Sequence, residues 1–347
     1  MLLKELTDLN GVSGNEKEVR DYIIEKIKNL CDSYNVDSIG NLIAYKKGSS
    51  SKFKVMLSAH MDEVGFIVSG HTDKGFLKFK PVGGVDDRIL PGKRLLVGKK
   101  RLCGVIGAKP VHQQDKDERE KITKVKSLYI DIGADSKEEA EKLAPLGEFI
   151  AFDSEYTEFG KDSIKAKALD DRVGCAVLIE AIKNNYDFDL YACFTVQEEV
   201  GLRGAKVAAY GVMPDIALVI EGTTCADVPD VEIYEYSTVM GNGAALTIMD
   251  RTCICDREMV RFLYDLAVKN NIKVQYKQTT TGGNDAGQIQ RTGTGVKLAS
   301  ISVPCRYIHS PVSVMSRSDY ECVERLTIAA LNAMSKDRDF FRSIAGK

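Results

Sequence analysis

Leu190-Tyr191-Ala192-Cys193-Phe194-Thr195-Val196-Gln197-Glu198-Glu199-Val200-Gly201 is the stretch that decides the fold. Its first seven residues form an apolar run that reads as a buried strand of an α/β sheet. The run delivers two adjacent carboxylates, followed by a glycine. Ligand sites in such sheets collect at the carboxyl ends of strands, where Glu198 and Glu199 fall. Two charges there are costly unless a cation or tight hydrogen bonding compensates them. One carboxylate could hold a metal ion while its neighbour handles a proton.

Outward from this strand, helices and strands alternate. Residues 173–184 read as a helix, 204–210 as another, and 216–220 as a second buried strand. Further on come a helix at 258–271, a strand at 297–303 and a helix at 319–334. At the amino end, Ser13-Gly14-Asn15-Glu16 resembles a helix start, followed by Val19, Tyr22, Ile23, Ile27 and Leu30 at helical spacing. Strands follow at 42–45 and 54–58. From about residue 65 to 164 the pattern changes to short β-like pieces (66–68, 76–79, 94–97, 102–107) broken by glycines, with one helix at 136–143. The expected architecture is one α/β domain made of residues 1–64 and 165–347, with a β-rich domain, 65–164, inserted into it. Residues near 60 can then meet residues beyond 165.

Composition narrows the function. The 347 residues are 28% charged with a formal net charge of -2, so no global field recruits nucleic acid or anionic lipid. No apolar stretch approaches a membrane span, and Met1-Leu2-Leu3-Lys4-Glu5 carries no basic-then-apolar signal. The nine cysteines are scattered without a CxxC, which reads as buried thiols of a reducing cytoplasm rather than a disulfide frame. Cys253-Ile254-Cys255 is the one close pair, with no other ligand types beside it.

Several ligand-type residues fall at element ends. His60 and Asp62 follow the 54–58 strand and can point to one side. Asp170-Asp171-Arg172 opens a helix, where an N-cap pair is the plainer reading. Glu221 and Gly222 end the 216–220 strand, and His309 follows the 297–303 strand. His71 and His112 lie in the β-rich insert without a carboxylate cluster, which suits surface or structural roles. Together the strand-end residues supply two imidazoles and at least three carboxylates, a ligand set for a pair of zinc or cobalt ions. A carboxylate can bridge two such ions, a hydroxide between them would attack a carbonyl, and a further carboxylate would move its proton.

Five segments occur in one order: Ser58-Ala59-His60-Met61-Asp62-Glu63-Val64-Gly65, Ala168-Leu169-Asp170-Asp171-Arg172, Gln197-Glu198-Glu199-Val200-Gly201, Glu221-Gly222-Thr223-Thr224 with Asp227-Val228-Pro229, and Tyr307-Ile308-His309-Ser310-Pro311. In this the chain resembles the M42 metallo-aminopeptidases over nearly its whole length. The resemblance implies a mixed-sheet co-catalytic zinc peptidase domain with an inserted dimerisation domain. It also implies that Asp170 bridges two divalent ions, His60 and Glu221 completing one site and Glu199 and His309 the other. Glu198 would be the general base and Asp62 would orient His60, and the Asp170–Asp171 peptide would be cis. Glu221 stands where many relatives have aspartate, and the extra methylene still lets it ligate. Thr281-Gly282-Gly283-Asn284-Asp285-Ala286 resembles the family's glycine-rich loop by the substrate pocket, or else is a turn capping the next helix. The implied activity is removal of N-terminal residues from short peptides, in a homo-oligomer ranging from a dimer to a twelve-subunit shell.

Two other readings stand beside it. A glycoside hydrolase also needs two carboxylates but no metal, and it leaves the strand-end histidines unexplained; some relatives carry an endoglucanase label. A non-enzymatic shell protein would not be expected to keep costly charged positions intact.

Overall fold

The computed structural model describes residues 1–49, 53–337, 341 and 343–346. Among these, eleven strands form one mixed sheet. Its central strands Asp189–Thr195, Lys54–His60, Ile216–Thr224 and Lys297–Arg306 run parallel. Antiparallel strands flank them, with Leu42–Lys46 on one side and Ser313–Ser316 on the other. The central strands are apolar along their length because both faces are covered. The helix Leu169–Ile182 packs on Lys54–His60 and Ile216–Thr224, and almost all its residues are buried. That is why this segment reads as continuously apolar rather than as an amphipathic stripe.

Register sets the site. Thr195 pairs with His60 and Val219 with Ser58, so the carboxyl ends of three parallel strands finish at one edge. The sequence-based strand ending at 220 runs on to Thr224, which keeps Glu221 and Gly222 within regular backbone.

The insert closes into a six-stranded barrel in the order Gly65–His71, Leu77–Val82, Tyr129–Asp131, Leu102–Gly107, Arg94–Val97, Phe149–Phe152. Its core is separate from that of the sheet: Phe66 meets Phe79 and Phe152 edge-on, beside Leu95, Ile106, Ile130 and Ile150. Closure leaves this small domain no open sheet edge. The expected boundary at 164 lies too far along the chain. Thr157–Phe159 and Ser163–Ala166 pair with each other and, through Ser313–Ser316, belong to the large sheet. Glycine-broken short strands look alike in either setting, so composition alone did not separate them. Two short strands of the large sheet, Ala244–Thr247 and Val274–Lys277, were also not apparent from the sequence. No helix among the described residues is long and apolar enough to cross a membrane.

Candidate metal centre

His60, Asp170, Glu198, Glu199, Glu221 and His309 all line one cleft of about 630 Å³ at the carboxyl edge of the sheet. His60 is 1% exposed, and its Nε2 faces Asp170 Oδ1 at 3.4 Å, Glu221 Oε2 at 3.7 Å and Glu198 Oε2 at 3.9 Å. His309 Nε2 lies 3.2 Å from Glu199 Oε2. Three sets can each offer ligand atoms within 4.8 Å of one another: His60, Glu198 and Glu199; His60, Asp171 and Glu221; and Asp170, Glu199 and His309. Asp170 thus sits between the two imidazoles.

Local backbone explains how these side chains converge. Within the Leu169–Ile182 segment, regular helix begins only beyond Asp171, next to the expected start at Val173. Asp170 and Asp171 within it depart from helical angles, and the peptide between them is cis. Asp171 accepts from the Gly174 N–H at 2.9 Å and from the His60 N–H at 3.1 Å, so one carboxylate caps the helix and fixes the His60 backbone. Ala168, Gln197, Leu202, Tyr307 and His309 adopt left-handed backbone angles around the cleft, a sparsely populated region for such residues. Gly222 is obligatory: a Cβ there would meet Asp170 Cβ at 2.9 Å.

Asp62 has a broader task than the sequence suggested. Its Oδ1 is 3.5 Å from His60 Nδ1, while its own carbonyl lies closer to that nitrogen, at 3.1 Å. The carboxylate instead accepts from the Glu198 N–H at 3.0 Å, the Glu199 N–H at 3.1 Å and Ser13 Oγ at 2.6 Å. It therefore sets the backbone of the glutamate pair. Ser13 is committed to Asp62, and Glu16 accepts from the Gly14 and Gln197 N–H groups, so the segment that opens the helix also buttresses the site. The following helix starts at Lys17.

Of the other supporting residues, Glu63 and Arg172 fall within the ordered segments and Lys167 left no signal beyond its charge. Lys167 Nζ donates to Glu63 at 2.7 Å and to the Leu9 carbonyl, while Arg172 donates to Glu63 and the Met61 carbonyl. All three side chains are buried. Removing one partner of such a network would strand the others. Asp285, in the glycine-rich segment, is also fully buried, accepts from Thr195 Oγ1, and is pushed up to about 6, chiefly by burial. Thr281 to Asn284 line the cleft, and the segment leads into the short Ala286–Ile289 helix, whose N-cap Asp285 makes no side-chain capping bond. His71 Nε2 donates to the Ala144 carbonyl at 2.7 Å within the insert, away from the cleft.

The electrostatics call for cations. Burial holds the Glu198, Glu199, Glu221 and Asp171 carboxyls well above the ordinary carboxylate range, and repulsion from neighbouring carboxylates adds to it. Burial works against charge on His60, yet Asp170, Asp62, Glu198 and Glu221 raise its pKa well above the usual value. Asp62 goes the other way: burial opposes its ionisation, but His60, Ser13 and the Glu198 N–H lower its pKa. Asp170 Oδ1 and Glu221 Oε1 are buried without a hydrogen-bond partner. Orphaned acceptors among mutually repelling carboxylates and imidazoles fit divalent metal ions with mixed nitrogen and oxygen ligation.

Comparison with known proteins gives a consistent picture. A family model described as M42 glutamyl aminopeptidase matches residues 40–326. A provisionally named aminopeptidase of Acetivibrio thermocellus is 44% identical over 332 residues, 95% of this chain and 97% of its own. The lysyl aminopeptidase of Pyrococcus furiosus is 33% identical, covering 98% of each chain. Among solved structures, an aminopeptidase of Desulfurococcus kamchatkensis superposes with a TM-score of 0.94 at 39% identity, covering 99% of this chain and 96% of that one. The TET1 peptidase of Pyrococcus horikoshii, which assembles into a tetrahedron or a large octahedral shell, gives 0.84 at 37% identity over 95% of this chain and 98% of its own.

Proposed function

The chain belongs to the M42 peptidase family, and from that premise we propose that it is a di-metal aminopeptidase releasing N-terminal residues from short peptides. The observation that carries this reading is the convergence of two imidazoles and four carboxylates, two with orphaned oxygens, in one cleft. His60 and Glu221 would hold one ion, Glu199 and His309 the other, with Asp170 bridging. Its contact with His60 and its grouping with Glu199 and His309 support the bridge. Zinc or cobalt ions bound there would act as Lewis acids toward the scissile carbonyl and make a water nucleophilic near neutral pH.

The protein's own residues supply the rest. Glu198 lines the cleft but lies outside the five proposed ligands, which leaves its carboxylate free to accept a proton from the attacking water. It then returns that proton to the leaving amine nitrogen. The Asp62 hydrogen bonds to the Glu198 and Glu199 N–H groups hold base and ligand in fixed relative position. The glycosidase reading leaves His60 and His309 without a task, and the shell-protein reading leaves the clustered charge without one.

The barrel would serve association between subunits, giving a homo-oligomer between a dimer and a closed shell; the assembly of the Pyrococcus horikoshii relative supports this. A cytoplasmic site of action suits nine cysteines that are all free thiols. The decisive experiment is chelation followed by re-addition of zinc or cobalt, assayed on amino-acyl chromogenic amides. Hydrolysis should vanish and return. Full activity in metal-free protein would refute the proposal.

A further inference from the structure

The turn that carries Glu198 is anchored by side chains rather than by a neighbouring strand. Four successive backbone N–H groups take part. Val196 N–H donates to Asn41 Oδ1 at 3.0 Å, Gln197 N–H to Glu16 Oε1 at 3.1 Å, and the Glu198 and Glu199 N–H groups to Asp62. All three acceptors come from the amino-terminal segment up to Asp62, and all three are buried. The carbonyls of the turn are taken up by the chain that follows. Val196 accepts from the Gly204 N–H, Gln197 from the Arg203 N–H, and Glu198 from the Gly201 and Leu202 N–H groups. Asn41 links the two sides by donating through Nδ2 to the Gly204 carbonyl at 3.0 Å.

Gln197 is the pivot of this turn. It lies between the Asp189–Thr195 strand and Glu198 with a left-handed φ of 55°, a sparsely populated conformation for a residue with a Cβ. Rotation there would swing the Glu198 carboxylate while leaving the strand in place. The side chain that holds its N–H is Glu16, which is 4% exposed and pairs with no cation among the described residues. Burial pushes the Glu16 carboxyl up to about 7, against the lowering effect of the Gly14 and Gln197 N–H bonds. A carboxyl buried without a cation is costly. The Lys17–Ile27 helix does not account for it, since Glu16 stands at its N-cap and makes no capping bond. Beyond its own segment, what the carboxylate reaches is the turn.

We propose that Glu16 is a positioning residue for Glu198: by fixing the Gln197 N–H it sets where the Glu198 carboxylate stands in the cleft, and so acts on turnover rather than on substrate or metal binding. The proposal rests on the aminopeptidase reading above, with Glu198 as its base. Glu199, in the same turn, is held separately by Asp62 and by its place beside His309, so metal retention does not depend on Glu16.

The test is kcat, KM and metal content of metal-loaded enzyme on the amino-acyl chromogenic amide it hydrolyses fastest. Glu16→Asp keeps the charge but withdraws it from the turn by one methylene. It should lower kcat about tenfold, the scale of a lost hydrogen bond to a charged group and a small misplacement of the base. KM and metal content should stay within about twofold of wild type, as expected of a group that binds neither substrate nor metal. Glu16→Gln keeps an acceptor at full reach and should retain kcat within about threefold, so that reach rather than charge decides. In a Glu198→Gln background Glu16→Asp should cause no further loss, because the group it positions is gone. Should Glu16→Asp fail to fold by circular dichroism, Glu16→Ala is read against the same expectations. Wild-type kcat in the shortened variant, a loss confined to KM or metal content, a Gln variant no better than the shortened one, or a loss that multiplies with that of Glu198→Gln each overturns the inference while the aminopeptidase reading stands. Absence of hydrolysis by the wild-type enzyme with every amide removes the underlying reading and this inference with it.

Discussion

The sheet edge and the barrel are built from the same residue types but use charge in opposite ways. In the barrel, Phe66, Phe152, Leu95 and Ile130 fill the interior, and charged groups such as Lys109 and Glu118 pair at the surface. At the sheet edge His60, Asp62, Asp171 and Glu221 are buried, and several carboxyls repel one another. The barrel maximises burial of apolar area, worth about 25 cal/mol per Å². The sheet edge gives up that gain to hold a charge cluster ready for cations. The apolar barrel interior and the charged sheet edge are thus separate parts of the molecule, and substitutions in each should have separable effects.

The largest expected effect is Glu198→Gln, which should lower kcat by about 10²- to 10⁴-fold while metal content, read by elemental analysis, stays at the wild-type level. Glu199→Gln should instead reduce bound metal first. Equal metal loss in both would break the division of labour within the pair. Next comes Phe66→Ala in the barrel, which should cost about 3–5 kcal/mol in denaturant unfolding by leaving a cavity. Metal content of the folded fraction should be retained, and a loss of metal would show that barrel and sheet edge are coupled.

A third effect tests the charge cluster itself. Glu198, Glu199, Glu221 and Asp171 have folded-state pKa values above their unfolded ones, so the native state binds more protons than the unfolded state. Their contribution to stability is complete below the unfolded carboxylate range and is lost as pH rises through the elevated values. The melting temperature of metal-free protein should therefore fall as pH rises above the ordinary carboxylate range. Glu221→Gln should flatten that fall, and added zinc should offset it. A metal-free melting temperature that rises over this range would mean the fold already compensates these charges. The smallest effect belongs to the barrel surface: Glu118→Gln removes an exposed ion pair with Lys109 and should leave the melting temperature unchanged within error.

Much of this contrast was legible in the chain. The strand over 190–196 needed only its apolar run, and the Asp189–Thr195 strand delivers Glu198 and Glu199 to the cleft as that reading required. The β-rich character of the insert was evident from its glycine-broken strands. Its closure was not, since pairing Gly65–His71 with Phe149–Phe152 joins segments some eighty residues apart. Ser13-Gly14-Asn15-Glu16 does lead into the Lys17–Ile27 helix, but that its Ser13 and Glu16 side chains reach Asp62 and the turn at Gln197 was not legible, because those partners are distant in the chain. Glu63 and Arg172 stand in the ordered segments, yet their joint burial with Lys167 was not legible, because any charged residue reads as surface until its surroundings are known.

By itself the sequence determined which segments are buried strands and helices, and which ligand-type residues stand at their ends. Local periodicity and the cost of burying charge are properties of a short stretch of chain. Only the tertiary structure decided that His60, Asp170, Glu199, Glu221 and His309 share one cleft and that Asp62 holds the backbone of the glutamate pair. Those outcomes depend on the register of parallel strands and on loops from distant parts of the chain. Buried charges interact strongly at a few ångströms and weakly beyond, so the chemistry of the opening pair, Glu198 and Glu199, is set by neighbours that no local stretch of sequence contains.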